Sequence, residues 1–159
     1  MVRYKKRYFV IQLDRATDIE NRQSSSRAHI DPSPLFIPND VLAQSIKDVV
    51  QDLHGDFGRA AITTGLRTIY CNPQTRLILI QCRHGPHRFV ASSLPFMTKI
   101  KDERIVPRLI YTGATILSCY KKMEAFQRQQ LDLALRECQH SEAEKQAIMQ
   151  KLALKQMKH

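Results

Sequence analysis

The chain has 159 residues, 43% of them hydrophobic, and 25 Lys and Arg against 15 Asp and Glu give it a formal charge of +10. That length supports one core-forming domain with a small appendage rather than two domains, and the positive surface favours a polyanionic partner. No apolar run approaches a membrane-spanning helix, and the first hydrophobic run is too short and too closely preceded by charge for a secretory signal.

At the amino terminus Arg3, Lys5, Lys6 and Arg7 alternate with Tyr4, Tyr8 and Phe9, with no acid before Asp14. Short basic segments are weak motifs on their own, and a frayed, merely soluble terminus is the plain alternative. Tyr8 to Leu13 is predicted as a strand with Phe9, Ile11 and Leu13 on one face. Asp14 to Pro38 is polar and broken by Ser24, Ser25, Ser26, Pro32, Pro34 and Pro38, which predicts a loop or flexible insertion.

Asn39 or Asp40 can cap a helix with the stripe Leu42, Ile46, Val49 and Leu53, and Gly55 is placed to end it. Ala60–Cys71 and Arg76–Arg83 then read as two strands of a hairpin around Asn72-Pro73-Gln74-Thr75. Pro86 suits the first turn of a second helix reaching Ile100, with Phe89, Val90, Leu94, Met97 and Ile100 inward and Pro95 breaking it locally. Ile105–Thr112 is the last predicted strand, where Pro107 implies an edge or an irregular start. The order is βαββαβ, an α/β (α+β) chain arranged as a ferredoxin-like sandwich with both helices on one sheet face.

Two extra carboxy-terminal helices follow, one from about Ala114 towards Cys138 and one opening at Ser141 with Glu144 at capping-box spacing. They are expected to cover the sheet's second face. The whole of 1–159 is read as a single domain.

The charge is concentrated in the middle of this order. From Phe57 to Lys101 there is no acid, whereas Arg59, Arg67, Arg76, Arg83, Arg88, Lys99 and Lys101 are present beside His84 and His87. RNA recognition motifs share the βαββαβ order but stack bases on aromatics of the third strand. Here that strand is Thr75-Arg76-Leu77-Ile78-Leu79-Ile80-Gln81-Cys82, without an aromatic, so phosphate contacts with a structured RNA are expected instead.

No phosphate loop and no serine nucleophile elbow is present, and no catalytic residue is assigned. The four cysteines, Cys71, Cys82, Cys119 and Cys138, lack a CxxC pair and read as reduced thiols of an intracellular protein. Cys82, His84 and His87 lie close in sequence but lack a second ligand pair at zinc-like spacing, so a buried thiol with loop imidazoles is preferred to a metal site.

The segments Val2-Arg3-Tyr4-Lys5-Lys6-Arg7-Tyr8, His54-Gly55-Asp56-Phe57-Gly58, Gln81-Cys82-Arg83, Ser93-Leu94-Pro95-Phe96 and Gly113-Ala114-Thr115-Ile116 leading to Lys121 closely resemble the Pop-five protein subunit family of ribonuclease P and RNase MRP. Each is weak alone, but they occur in family order across nearly the whole chain. The resemblance implies a non-catalytic, RNA-binding subunit of a ribonucleoprotein whose RNA performs the cleavage. The reactions implied are removal of the 5′ leader of precursor tRNA and cutting of precursor rRNA.

It also implies magnesium on the RNA component and no cofactor on this chain. The implied partners are the RNase P or MRP RNA, a TIM-barrel-like protein subunit, other subunits of the particle and, indirectly, precursor tRNA. The implied location is the nucleus and nucleolus. Matched by position, the expected RNA-binding residues are Arg3, Lys5, Arg7, Arg83, Lys121 and Arg128, and Lys6 joins them on local charge.

A solvated basic helix face is the competing reading for Lys121 and Arg128. Gly55, Gly58 and Gly113 are expected to serve the backbone, and Phe57 and Phe96 the core. Leu117 stands where the family commonly carries Lys or Arg, and Lys155, Lys158 and His159 stand where some members end in an acidic tail. A different ferredoxin-like module, such as a ribosome-associated factor, shares the charge but not the ordered segments. A free-standing nuclease using Cys82, His84 and His87 is the more distant alternative.

Overall fold

The structure, a computed structural model, describes residues 4–19 and 34–137, with side chains as far as Leu133. The Ser24–Ser26 segment and the helix expected from Ser141 lie outside these residues. The chain forms two compact units, Met1–Lys121 and Lys122–His159.

Five strands build the sheet of the first unit: β1 (Lys6–Arg15), β2 (Arg67–Cys71), β3 (Leu77–Arg83), β4 (Lys99–Ile100) and β5 (Glu103–Gly113). Their order is β2-β3-β1-β5-β4, every pair antiparallel. The helix before β2 is α1 (Asn39–Thr63), the shorter one before β4 is α2 (His87–Ser93), and α3 (Ile116–Glu137) follows β5. Without the short β4, this is the expected ferredoxin-like order: β1 lies at the centre and each βαβ connection spans an intervening antiparallel strand.

Period two puts Phe9, Ile11 and Leu13 of β1 and Ile78, Ile80 and Cys82 of β3 on one face. They form a single core with Leu42, Ile46, Val50 and Ile62 of α1 and Val90 of α2. Each large side chain withdrawn there contributes roughly 1.5–3 kcal/mol of transfer free energy. The alternate residues Tyr8, Val10, Leu77 and Leu79 are buried as well, so the central strands are apolar on both faces.

Several boundaries differ from the sequence reading. Gly55 bends α1 rather than ending it: at φ 66° and ψ −166° it joins two helical segments, and the helix resumes to Thr63. Ala60–Thr63 is therefore helical, because Ile62, not a strand residue, completes the stripe that faces the sheet. Before the bend the buried stripe is Leu42, Ile46 and Val50, and Leu53 is exposed.

The second helix is short. A 3₁₀ turn over Leu94–Phe96 carries Pro95 in its first positions, and Lys99–Ile100 is a strand. Met97 and Ile100 still enter the core, from extended backbone. β1 runs two residues past Leu13, and residues 16–19 are helical, so the insertion begins later than Asp14. β5 pairs with β1 along its length but with β4 only at Glu103 and Arg104, so Pro107 faces an edge, where a missing N–H costs nothing.

Candidate nucleic-acid interface

The sheet order brings three chain segments to one end. Lys6 lies opposite Arg83, Arg7 opposite Cys82, and Tyr8 opposite Gly113 at the end of β5. The register is continued beyond the strands by the His84 amide, which donates to the Lys5 carbonyl at 2.8 Å. The basic amino-terminal tip, the end of β3 and the turn into α2 thus share one edge of the fold.

Arg83 is held from two sides. Its guanidinium carbon lies 4.1 Å from the centroid of the Tyr4 ring. Its aliphatic stem lies on the backbone of Gly65, where a Cβ would collide with Arg83 Cγ and approach Cδ to 2.9 Å. Gly65 is thus a close-approach glycine that no local sequence pattern marks; pairing β3 beside the α1–β2 connection is what makes it legible.

Next to Arg83, the Gly85 amide donates to His87 Nδ1 at 3.1 Å, and the His84 and His87 rings stand 5.1 Å apart. Partial burial lowers the His87 pKa, and the neighbouring His84, Arg7 and Arg88 lower it further. Burial first, and then the positive groups of this edge, disfavour a proton on His87.

Lys5 and Lys6 are exposed, and Arg7 is half-buried, donating from Nη1 to the Lys6 carbonyl at 3.1 Å. Lys121 is exposed on α3, with no acid between Arg104 and Met123. Arg128, in the second unit, donates to Glu124 at 2.8 Å, an i,i+4 pair. Of the residues expected to meet RNA, then, Lys5, Lys6, Arg7 and Arg83 are brought together at one end of the sheet. Arg3 lies outside the described residues.

The alternatives with catalytic chemistry fare differently. Cys82 is fully buried and its thiol is pushed up to about 11 by that burial, so it offers no thiolate beside the two imidazoles. Among the described residues no group of three His, Cys, Asp or Glu could hold a metal ion, and no helix is long and apolar enough to cross a membrane.

Two core assignments are corrected. Phe57 is 76% exposed and Phe96 63% exposed. Phe57 follows the Gly55 bend and touches Phe89 only edge-on at 6.0 Å, while Phe96 sits in the 3₁₀ turn that ends the helix early. Both differences have the same cause: the helix paths bend or stop where an apolar stripe alone implies that they run straight.

The Rpp14/Pop5 family matches this chain over residues 7–124. The ribonuclease P/MRP protein subunit POP5 of Danio rerio is 34% identical over 155 residues, covering 93% of this chain and 83% of the relative. The protein of the same name from Homo sapiens is 31% identical over 153 residues, covering 93% and 85%. A chain in the cryo-EM structure of yeast ribonuclease MRP is also similar, with a TM-score of 0.47 and 13% identity, covering 81% of this chain and 96% of that one.

Proposed function

The chain belongs to the Rpp14/Pop5 family, and from that premise we propose that it is a non-catalytic, RNA-binding protein subunit of the ribonuclease P or RNase MRP ribonucleoprotein, or of both. In this reading the RNA component, with its magnesium, cleaves precursor tRNA at the 5′ leader or cuts precursor rRNA. The protein, acting over 1–159 as one subunit domain, braces the catalytic RNA. A TIM-barrel-like subunit and other proteins of the particle are its partners, and the nucleus and nucleolus its location.

The observation that carries the binding part of the proposal is the unneutralised edge of the sheet. Lys5, Lys6, Arg7 and Arg83 converge there, and among the described residues none of the four is in an ion pair with an acid. Each cation that displaces a condensed counterion from RNA contributes binding free energy that falls with salt. Arg3 extends the same run, and Lys121 and Arg128 on α3 are the further contacts proposed.

Affinity purification of the full chain from its own cells, followed by sequencing of the copurified RNA, tests the reading. RNase P or MRP RNA should be strongly enriched. Recovery of ribosomal RNA alone would replace it with the ribosome-associated alternative. Cleavage of precursor tRNA by the RNA-free protein, abolished by His84→Ala, would replace it with a protein nuclease.

A further inference from the structure

Phosphate contacts explain the cations of the basic edge but leave Tyr4, an exposed aromatic among the described residues there, without a task. Tyr4 is 68% exposed, so a large ring is open to solvent beside these cations. Its ring lies against Arg83, and the residues on either side of that contact are themselves held in place. The His84 amide holds the Lys5 carbonyl at 2.8 Å, the guanidinium of Arg83 covers one face of the ring at 4.1 Å, and Gly65 leaves the space that seats the stem of Arg83. A ring that only needed solubility would not require a backbone clamp, a stacked cation and a glycine seat.

We propose that Tyr4 is a stacking site for one unpaired nucleobase of the bound RNA, with Arg83 as the second layer beneath the ring. The inference rests on the RNA-binding reading above and adds the chemical class that the site takes. A tyrosine face and a nucleobase stack without regard to base identity, and a guanidinium beneath the ring adds a cation–π layer. A guanidinium stacked in this way keeps its in-plane N–H donors free for a flanking phosphate. Lys5, Lys6 and Arg7 lie on the same edge to neutralise the adjoining phosphates.

The absence of aromatics on β3 argues against base stacking on that strand and does not bear on stacking at the end of the sheet. The site accepts a base from a bulge, loop or single-stranded junction, because a paired base cannot present its face.

The full chain is titrated against two RNA probes of equal length, a blunt duplex and the same duplex interrupted by a three-nucleotide bulge, over a range of salt concentrations. Wild type should prefer the bulged probe. Tyr4→Leu should lower affinity for that probe by roughly 5- to 150-fold, the range for removal of one base–aromatic stack, with an unchanged salt slope and unchanged duplex affinity. Tyr4→Phe should behave as wild type, and Gly65→Ala should weaken the bulge preference by displacing Arg83.

Equal affinity of wild type and Tyr4→Leu for the bulged probe overturns the stacking site while leaving the phosphate reading standing. So does an equal loss on both probes. Failure of wild type to bind either probe overturns the RNA-binding reading and the stacking site with it. Circular dichroism of each variant separates loss of binding from loss of fold.

Discussion

The two ends of one sheet treat positive charge in opposite ways. At the end where β1 finishes and β5 begins, three arginines are matched to acids. Arg76 pairs with Asp18, Arg108 with Asp14 at 3.2 Å, and Arg15 with Glu103 at 3.5 Å. At the other end Lys5, Lys6, Arg7 and Arg83 lie on adjacent strand ends near two imidazoles, and none of them is in an ion pair with an acid among the described residues. The same residue types thus serve structure at one end and are kept available at the other. Uncompensated positive charge gathered at one edge produces a field that attracts a polyanion.

The paired end should break hardest under mutation. Arg76 and Asp18 are 8% and 5% exposed, and they tie the β2–β3 turn to the segment that follows β1. Arg76 holds a left-handed backbone at φ 56°, a conformation that costs a residue with a side chain about 1 kcal/mol or more. Arg76→Ala strands a buried carboxylate and should destabilise the fold by about 3–5 kcal/mol in chemical denaturation, with the RNA salt slope unchanged. A decrease under about 1 kcal/mol would mean that the pair is solvated and the contrast between the ends is not one of burial.

The open end should behave in reverse. Replacing Lys5, Lys6, Arg7 and Arg83 together by Gln should flatten the dependence of log affinity on log salt by up to about 0.9 for each duplex phosphate that is no longer neutralised. Fold stability should move by no more than about 0.5 kcal/mol for each of the exposed Lys5 and Lys6. A preserved slope would assign this end to a protein partner. If instead stability rises markedly, the repulsion is real and uncompensated in the free protein, which sharpens the comparison.

How much of this the sequence contains differs between the levels. The ferredoxin-like order is legible because the short apolar runs of β1 and β3, rich in Ile, Leu and Val and β3 preceded by turn residues, read as strands by length and composition. Once that order is granted, the meeting of Lys6 with Arg83 follows from topology, since the start of β1 must lie beside the end of an antiparallel β3.

What the sequence hides are non-local effects. Gly55 has the composition of a helix stop, and only the burial of Ile62 carries α1 past it. Met97 and Ile100 have helical spacing but arrive in the core from extended backbone, because Pro95 ends the hydrogen-bonding that a continued helix needs. Gly65 and Tyr4 acquire meaning only through Arg83, a residue distant in sequence.

A smaller effect tests the potential at the open end through protons. His87 titrates below its ordinary value because it is partly buried and faces His84, Arg7 and Arg88. In the unfolded chain it protonates near its ordinary value of about 6.5, so below that pH the unfolded state binds more protons than the folded one. Its contribution is therefore complete above about pH 6.5 and falls away as the pH drops through that value. Wild type should lose more stability than His87→Gln between roughly pH 7.5 and 5.5 in denaturant titrations, while RNA affinity, favoured by the added charge, rises over the same interval. Identical pH profiles for the two proteins would mean that the cations around His87 are too well screened to act on it.

The smallest expected difference lies on α3, where the paired and unpaired treatments of charge recur on one helix. Lys121 is exposed and has no acid partner among the described residues, whereas Arg128 already donates to Glu124 at 2.8 Å. An exposed i,i+4 pair stabilises a helix by only about 0.3–0.5 kcal/mol, so Arg128 can exchange Glu124 for a phosphate at little cost to the fold. The exchange still leaves a carboxylate beside the RNA. Arg128→Gln should therefore lower RNA affinity less than Lys121→Gln, and Glu124→Gln should raise it, since freeing Arg128 adds a cation without adding a side chain. Equal decreases for the two cation variants, with no gain from Glu124→Gln, would show that pairing within the chain does not decide which cations RNA uses, and the contrast between the two ends of the sheet would then rest on burial alone.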